Sequence, residues 1–335
     1  MGRVVRHHNP RPALGPVNAR IHMKDMKIVL PGGAGLVGQN LVAHLKRAGY
    51  RNLVVLDKHR ANLDVLRRVQ PDITVVEADL AEPGDWARHF EGAGAVVMLQ
   101  AQIGDLEVEP FVRNNITSTE RVLDVMRGLP QLPHLVHISS SVVKSVANDH
   151  YTNTKKKQEE IVLASGVPCV VLRPTLMFGW FDRKHLGWLA RFMKKVPVFP
   201  VPGHGRYMRQ PLYAADFCRI IVSCIERRTQ GAVYNISGLE KIDYIDMIRE
   251  IKTATRAGAA IVKIPYGLFR VLLQTWALFD KNPPFTADQL QALVAHDEFE
   301  VIDWPAIFGV TATPFATAVR ETFNDPEYGR IVLEF

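Results

Sequence analysis

The sequence contains few cysteines. Cys169, Cys218 and Cys224 are the only three among 335 residues, and each lies in an apolar run without the spacing of metal ligands. We therefore expect buried, reduced thiols, with no disulfide framework and no metal site.

The sequence also lacks an apolar run long enough to cross a membrane. A membrane-spanning helix needs roughly 20 apolar residues. The longest candidate, residues 264–279, is interrupted by Arg270 and Gln274. This segment predicts an amphipathic helix packed on its own domain, with interfacial membrane contact as the alternative.

Most of the chain carries little net positive charge. The formal net charge is +7, and the acid-free residues 1–24 contribute five charges, which leaves +2 for the remainder. We therefore expect no nucleic-acid partner. Residues 1–24 contain prolines and no apolar run, which excludes a secretory signal. Residues 1–25 are predicted to be a disordered basic extension of a cytoplasmic protein.

Short apolar runs alternate with helical patterns over the first half of the chain. Helical apolar spacing from Leu36 to Leu45 stops at Gly49, for example. Such alternation predicts parallel strands joined by helices, hence an α/β fold with a doubly wound parallel sheet. The strand-like runs are residues 27–30, 52–56, 73–77, 95–99, 135–139 and 169–172.

The alternation ends after Pro174, where prolines and glycines cluster and helical patterns become more frequent. We predict a nucleotide-binding domain at residues 26–175, together with about residues 210–238. A smaller, mostly helical substrate-binding lobe is predicted at residues 176–209 and 239–335.

A glycine-rich segment directly follows the first predicted strand and opens the first helix. Three glycines at this position permit a tight turn, close backbone approach to a pyrophosphate and close helix packing. This arrangement predicts a Rossmann-type dinucleotide site. The residues assigned to it are Gly32, Gly35, Leu36, Val37 and Gly38.

Asp57 ends the second predicted strand, about 20 residues beyond the glycines, where a ribose-binding carboxylate is expected. A carboxylate accepts hydrogen bonds from ribose hydroxyls and repels a 2′-phosphate, so the sequence favours NAD over NADP. Lys58 lies close enough to weaken this preference. Asp79 and Leu80, which end the third strand, are expected beside the adenine.

Tyr151 and Lys155 are four residues apart and therefore share one face of a predicted helix. A free tyrosine titrates near pH ~10, and a nearby ammonium lowers that pKa. Ser141, at the end of the preceding strand, is expected to bind the substrate oxygen. The three side chains suit proton removal from an alcohol while a hydride leaves its carbon.

Over residues 26–238 these motifs resemble the extended short-chain dehydrogenase/reductase family of nucleotide-sugar epimerases, dehydratases and reductases. The resemblance implies that Asn115 supports the active site and that Ser141 is its catalytic serine. It places Pro174 and the segment Leu99, Gln100 and Ala101 near the cofactor. Arg209 matches a substrate-diphosphate contact, and a homodimer through helices at residues 115–129 and 154–164 is expected.

The sequence departs from the family around the substrate. Ser141 and Tyr151 are only ten positions apart, which shortens a loop that normally lies against the sugar. Three functions remain open: an NAD-dependent epimerase or reductase of a nucleotide-linked sugar, a dinucleotide-binding accessory subunit resembling one of respiratory complex I, and a dehydrogenase of an apolar, sterol-like alcohol.

Overall fold

The computed structural model of the protein describes residues 23–279 and 299–334, with the side chains of all of these except 276–279. The predicted disordered extension therefore lies almost wholly outside the described residues. Within the described part of the chain, no helix has the length and hydropathy that a membrane span requires.

The strands are numbered in chain order and are mostly short. They are β1 (Lys27–Pro31), β2 (Leu53–Asp57), β3 (Thr74–Glu77), β4 (Ala93–Met98), β5 (His134–Ile138), β6 (Cys169–Pro174), β7 (Met177–Phe178), β8 (Val198–Pro202), β9 (Met208–Arg209), β10 (Leu212–Tyr213), β11 (Ala232–Ile236), β12 (Ile242–Asp243) and β13 (Ala260–Ile264).

The helices are numbered in the same way. They are α1 (Leu36–Arg47), α2 (Arg60–Val69), α3 (Ser118–Arg127), α4 (His150–Leu163), α5 (Leu186–Lys195), α6 (Ala214–Arg227), α7 (Tyr244–Thr255), α8 (Tyr266–Phe279), α9 (Trp304–Phe308) and α10 (Phe315–Asn324). A helical turn at Val108–Phe111 and a π-helical turn at Val112–Thr117 lead without a break into α3, and short 3₁₀ turns occupy Asp85–Phe90 and Ser141–Lys144.

Seven strands form one sheet in the order β3-β2-β1-β4-β5-β6-β11, and every neighbouring pair is parallel. This arrangement confirms the predicted doubly wound α/β fold. Because all seven strands run the same way, their carboxyl ends meet at one edge of the sheet. In such folds ligands bind at that edge.

Both faces of the sheet are buried, which explains the nearly continuous apolar character of its strands. Successive side chains of a strand point to opposite faces. Accordingly, Ile28 packs in the core that includes Leu41 of α1 and Phe217 of α6, while Val29 packs in a second core that includes Val122 of α3.

A further apolar cluster lies outside the sheet. It contains Met193 of α5, Ile248 of α7 and Val319 of α10, together with Phe199 and Val201 of β8. Strand β8 pairs in parallel with β13, and neither of these two strands was predicted from the sequence. The cluster is compatible with the predicted substrate lobe, whose boundaries remain a prediction.

Helix α4 begins at His150 and so includes Tyr151, as predicted, although the helical apolar spacing begins only at residue 154. Asp149 stands immediately before it and caps its first turn, since its Oδ1 accepts a hydrogen bond from Thr152 N at 2.8 Å. An N-cap of this kind fixes where a helix starts. Tyr151 consequently lies in the first turn of α4.

Asp216 connects α6 to the segment that precedes α10. Its buried carboxylate accepts hydrogen bonds from Thr313 N at 2.9 Å and from Thr313 Oγ1 at 2.7 Å, and it pairs with Arg219. Burial raises the pKa of Asp216, and the hydrogen bonds from Thr313 oppose that shift. The residue therefore has a structural role, joining two parts of the chain that are far apart in sequence.

Asp216→Ala would leave the half-buried Thr313 N–H without its acceptor. We expect the free energy of unfolding to fall by roughly 1–3 kcal/mol, measured by urea denaturation. Asp246→Ala is the matched control, because Asp246 is exposed on α7 and forms a surface ion pair with exposed Arg249. An equal loss of stability in both variants would contradict the role given to Asp216.

Candidate active site

The glycine loop between β1 and α1 brings separate backbone segments into contact. Gly32 has a φ of +74°, and a Cβ there would lie 2.3 Å from Gln100 N. A Cβ on Gly38 would lie 2.2 Å from Gly33 O, so this glycine lets α1 pack against the loop. A Cβ on Gly35 would meet only Gly32 O, at 3.9 Å. The backbone at Gly35 therefore remains open to close approach.

Helix α1 presents free backbone donors beside this open space. Gly35 is its N-cap and no side chain caps the helix. The first N–H groups of a helix have no partner within the helix, and the helix dipole is positive at this end. Leu36, Val37 and Gly38 carry those donors, an arrangement suited to a phosphate group.

Asp57 ends β2 next to the same loop, and backbone groups hold its carboxylate in place. Its Oδ2 accepts a hydrogen bond from Ala34 N at 3.0 Å, and its Oδ1 accepts one from His59 N at 3.0 Å. The carboxylate is therefore fixed at the carboxyl end of β2, beside the turn of the loop.

The ammonium group of Lys58 lies between a side-chain amide and a carboxylate. Its Nζ donates to Asn114 Oδ1 at 2.6 Å and lies 3.9 Å from Asp79 Oδ2. Arg113 also binds Asp79, at 2.8 Å, while the neighbouring Leu80 is buried. Asp79 thus partly neutralises the positive charge of Lys58.

The segment after β4 lies against the loop. Leu99 N donates to Pro31 O at 2.9 Å, and Ala101 is exposed. Among the described residues, the buried side-chain amide of Gln100 has no hydrogen-bond partner. The same holds for the hydroxyl of Thr175, which directly follows Pro174 at the end of β6. Buried polar groups are rarely left unpaired in folded proteins, so these two positions suit a polar ligand.

Tyr151 meets the serine run that follows β5. A hydrogen bond with the Ser140 side chain lowers the pKa of the phenol, but burial, the larger effect, raises it, and Asp149 raises it further. Ser140 precedes the 3₁₀ turn, and the half-buried Ser141 is the first residue of that turn. Ser140 therefore lies near Tyr151, and the role of Ser141 as the catalytic serine stays a prediction.

Lys155 is fully buried one turn further along α4. Its Nζ donates to Ile138 O at 3.1 Å and to Gln158 Oε1. Burial lowers the pKa of Lys155 to about 7, and the negative charge of Glu159 opposes that shift. Burial, and then the charge of Lys155, also holds the pKa of His137 well below its usual value, so that ring is neutral.

Gln158 links Lys155 to the segment that lies against the glycine loop, although nothing in the sequence had drawn attention to it. Its Nε2 donates to Thr119 Oγ1 at 2.8 Å and to Gln100 O at 3.4 Å, while its Oε1 accepts from Lys155. Lys155 and the backbone that touches Gly32 therefore belong to one hydrogen-bonded network.

Asn115, in the π-helical turn that precedes α3, forms a hydrogen bond with helix α4. It lies in the π-helical turn, the rare kind of helix that often marks functional sites. Its Oδ1 accepts from Gln102 N at 2.7 Å, and its Nδ2 donates to Thr154 Oγ1 at 3.0 Å. Asn115 thus connects the segment after β4 to the first turns of α4.

A buried ion pair below Lys155 was also missed by sequence analysis. Arg173 of β6 binds Glu159 of α4, and Ser139 Oγ donates to Glu159 Oε2 at 2.5 Å. The sequence did contain a signal for this ion pair. Arg173 is the one charged residue in the apolar strand β6, and Glu159 follows Lys155 by four residues.

Arg209 lies outside the seven-stranded sheet that positions Tyr151 and Lys155. It ends β9, which pairs with β12 in a separate two-stranded sheet. Its guanidinium donates to Met208 O at 2.7 Å, and its positive charge partly opposes the rise that burial causes in the pKa of Tyr244.

The chain is similar to dehydratases that act on UDP-glucose and dTDP-glucose. It is 24% identical, over 67% of its length, to a trifunctional UDP-glucose 4,6-dehydratase, epimerase and reductase of Arabidopsis thaliana, but covers only 38% of that longer protein. It is 22% identical to the dTDP-glucose 4,6-dehydratase of Escherichia coli, covering 68% of this chain and 75% of the relative.

Two further proteins are similar to this chain. NADH dehydrogenase [ubiquinone] 1 alpha subcomplex subunit 9 of Dictyostelium discoideum is 24% identical, over 77% of this chain and 73% of its own. The crystal structure of UDP-glucuronic acid 4-epimerase from Bacillus cereus shares the fold, with a TM-score of 0.67, 20% identity, and coverage of 88% of this chain and 97% of that one.

A model of the NAD dependent epimerase/dehydratase family matches residues 28–237. This match agrees with the resemblance, the fold class and the cofactor, NAD, that the sequence predicted. Because it spans well over half of the chain, the chain belongs to the NAD-dependent epimerase/dehydratase family of enzymes.

Proposed function

We propose that this protein is an epimerase or reductase that oxidises an alcohol carbon, or reduces a carbonyl carbon, of a nucleotide-linked sugar. One observation carries the proposal: Tyr151 contacts a serine hydroxyl at the sheet edge where Gly35 leaves the backbone open. Gln158 and Gln100 connect the helix of Tyr151 to that loop.

The residues at the loop fit NAD. The backbone at Gly35 and the first N–H groups of α1 would hold the pyrophosphate, and Asp57 would accept from the ribose hydroxyls. The unpaired groups of Gln100 and Thr175 would face the nicotinamide end. NAD, when bound there, supplies the acceptor or donor for the hydride of the substrate carbon.

Tyr151 would exchange the proton of the substrate oxygen, with Ser140 or Ser141 donating a hydrogen bond to that oxygen. Burial raises the pKa of the phenol, so its activation needs positive charge. Lys155 is the nearest candidate along α4, and its own pKa of about 7 lets it bind or release a proton near neutrality.

A second candidate function is that of an accessory subunit that binds NAD(H) structurally. The similarity to subunit 9 of the Dictyostelium NADH dehydrogenase favours it. The two functions differ in one measurable respect, since an accessory subunit needs no titrating phenol and would show no dependence of turnover on Tyr151.

Gly35→Ala tests the cofactor site. The added methyl meets open space in the protein, so stability should stay unchanged, while NAD affinity should fall by at least ~10-fold because the backbone can no longer approach the pyrophosphate. Calorimetric titration and thermal melting measure both quantities. Gly38→Ala is the contrasting variant, since its methyl would clash with Gly33 O and lower the melting temperature. Undiminished NAD binding by Gly35→Ala would refute this site.

Tyr151→Phe tests the chemistry. Removing the hydroxyl should lower turnover by at least ~10²-fold, the usual contribution of a general acid–base group, and should leave NAD affinity and melting temperature nearly unchanged. Tyr234→Phe is the control, because that ring packs edge-on against Phe308 at the edge strand β11. If Tyr151→Phe turns over substrate at the unmodified rate, Tyr151 is not the residue that exchanges the proton of the substrate oxygen.

Arg209→Ala tests the substrate class. A charge-assisted contact to a diphosphate contributes roughly 1.5–3 kcal/mol, so nucleotide-sugar binding should weaken by about 10- to 100-fold while NAD binding is retained. Arg249→Ala, on the exposed side of α7, is the control. The nucleotide-sugar assignment fails if UDP, GDP and dTDP leave the melting temperature of the unmodified protein unchanged.

A further inference from the structure

Gln158 is a fully buried residue of α4 that contacts Lys155 directly. Its Oε1 accepts a hydrogen bond from Lys155 Nζ, and its Nε2 donates to Thr119 Oγ1 at 2.8 Å and to Gln100 O at 3.4 Å. Both ends of the amide are therefore hydrogen-bonded. Such a fully paired polar group in the interior fixes the arrangement of its neighbours.

The chemistry of the neighbours fixes the orientation of this amide. A lysine ammonium can only donate hydrogen bonds, and a backbone carbonyl can only accept them. The Oε1 of Gln158 must therefore face Lys155, and its Nε2 must face the carbonyl of Gln100. The opposite orientation would place two donors together at Lys155 and two acceptors together at Gln100. Gln158 is thus held as an acceptor for Lys155.

Gln158 also limits where the ammonium of Lys155 can lie. An ammonium group has three N–H donors. Among the described residues, those of Lys155 have two acceptors, Ile138 O of β5 at 3.1 Å and Gln158 Oε1 of α4. Two acceptors on different elements fix the position of Nζ and leave one donor. Tyr151 lies one turn earlier on the same face of α4.

The charged groups around Lys155 leave one positive charge unbalanced. Glu159 of α4 is paired with Arg173 of β6. Burial and then the charge of Lys155 hold the pKa of His137 of β5 well below its usual value, so that ring is neutral. The groups that reach Gln158 from α3 and from the segment after β4 are uncharged. A neutral acceptor at this position therefore stabilises the ammonium without cancelling its charge.

We propose that Gln158 is a positioning residue of the active site, which holds Lys155 as a charged ammonium one helical turn from Tyr151. The inference rests on the proposed function and deepens it, because a buried phenol exchanges a proton near neutrality only if nearby positive charge lowers its pKa. Gln158 touches neither substrate nor cofactor in this scheme and acts through Lys155.

Titration of Lys155 without substrate tests the proposal. Burial lowers the pKa of Lys155 to about 7, whereas a free lysine titrates near ~10.4. In protein isotope-labelled at lysine Cε, the NMR resonance of Lys155 should therefore titrate apart from those of exposed lysines. Its loss in Lys155→Met assigns it.

Two variants of Gln158 should move this midpoint in opposite directions. Gln158→Met removes the acceptor and leaves burial unopposed there, so the midpoint should fall by about 1 pH unit. Gln158→Glu keeps the acceptor and adds a negative charge, so the midpoint should rise by at least about 1 pH unit. A loss of packing alone does not produce opposite shifts. If neither variant moves the midpoint, the proposal is wrong.

The pH profile of turnover, in the direction of alcohol oxidation, provides a second measurement. Near neutrality both variants should lose turnover by at least ~10-fold. Gln158→Met should move the falling limb to lower pH, because Lys155 loses its proton earlier. Gln158→Glu should move both limbs to higher pH, because the added carboxylate balances the positive charge that lowers the pKa of Tyr151. An unchanged profile for Gln158→Glu, which keeps the natural shape, contradicts the proposal even if Gln158→Met does not fold.

Gln70 provides the matched control. It is also buried, its Oε1 accepts from Lys46 Nζ at 2.7 Å, and its Nε2 donates to Tyr328 Oη at 2.9 Å. It follows α2, which packs in the core on the sheet face opposite α4. Gln70→Met and Gln70→Glu should leave the midpoint of Lys155 and the pH profile unchanged. Equal shifts in the variants of Gln70 would refute a specific role of Gln158.

Failure of this inference differs from failure of the proposed function. If the unmodified protein turns over no nucleotide sugar, the proposed function is wrong, and the midpoint of Lys155 still tests whether Gln158 holds the ammonium. If turnover depends on Tyr151 while the variants of Gln158 leave both midpoint and profile unchanged, the proposed function stands and the role of Gln158 is refuted.

Discussion

The contact between two backbones, at Gly32 and Gln100, is the constraint on which the candidate site depends. No side chain fits between them, because a Cβ on Gly32 would lie 2.3 Å from Gln100 N. The hydrogen bond from Leu99 N to Pro31 O holds the same two segments together. The ends of β1 and β4 therefore share a fixed position, and the carbonyl of Gln100 is directed to Gln158 of α4. In this way the loop that would hold NAD and the helix that bears Tyr151 are positioned by one network.

The second constraint is the burial of charge beside that network. Lys155 is buried, and burial lowers its pKa to about 7. Glu159 counteracts this effect while pairing with Arg173 and accepting a hydrogen bond from Ser139. A buried ion pair contributes little net stability, but the loss of one partner leaves an uncompensated charge. The pair is thus better understood as fixing the position of α4 against β6, and with it the site, than as a source of stability.

Local sequence signals predicted the parallel sheet because apolar runs and glycine stops are short-range features. The strands from β1 to β6 were predicted within a few residues of their bounds. Strands β8 and β13 were missed, since proline interrupts the first and their pairing joins positions about sixty residues apart. The apolar spacing begins four residues inside α4 because it does not report the cap at Asp149, whereas the pair Tyr151 and Lys155 already placed Tyr151 on this helix.

The sequence alone determined the fold class, the NAD-binding type and the identity of Tyr151 and Lys155 as candidates, because glycine spacing, the acid after β2 and helix periodicity are encoded locally. Only the tertiary structure showed that Ser140 lies near Tyr151, since the distance between the serine run and α4 depends on how these segments pack. It also decided the partners of Lys155 and the ion pair of Glu159 with Arg173. Each of these depends on contacts between elements distant in sequence, and burial and charge compensation exist only once those elements have packed.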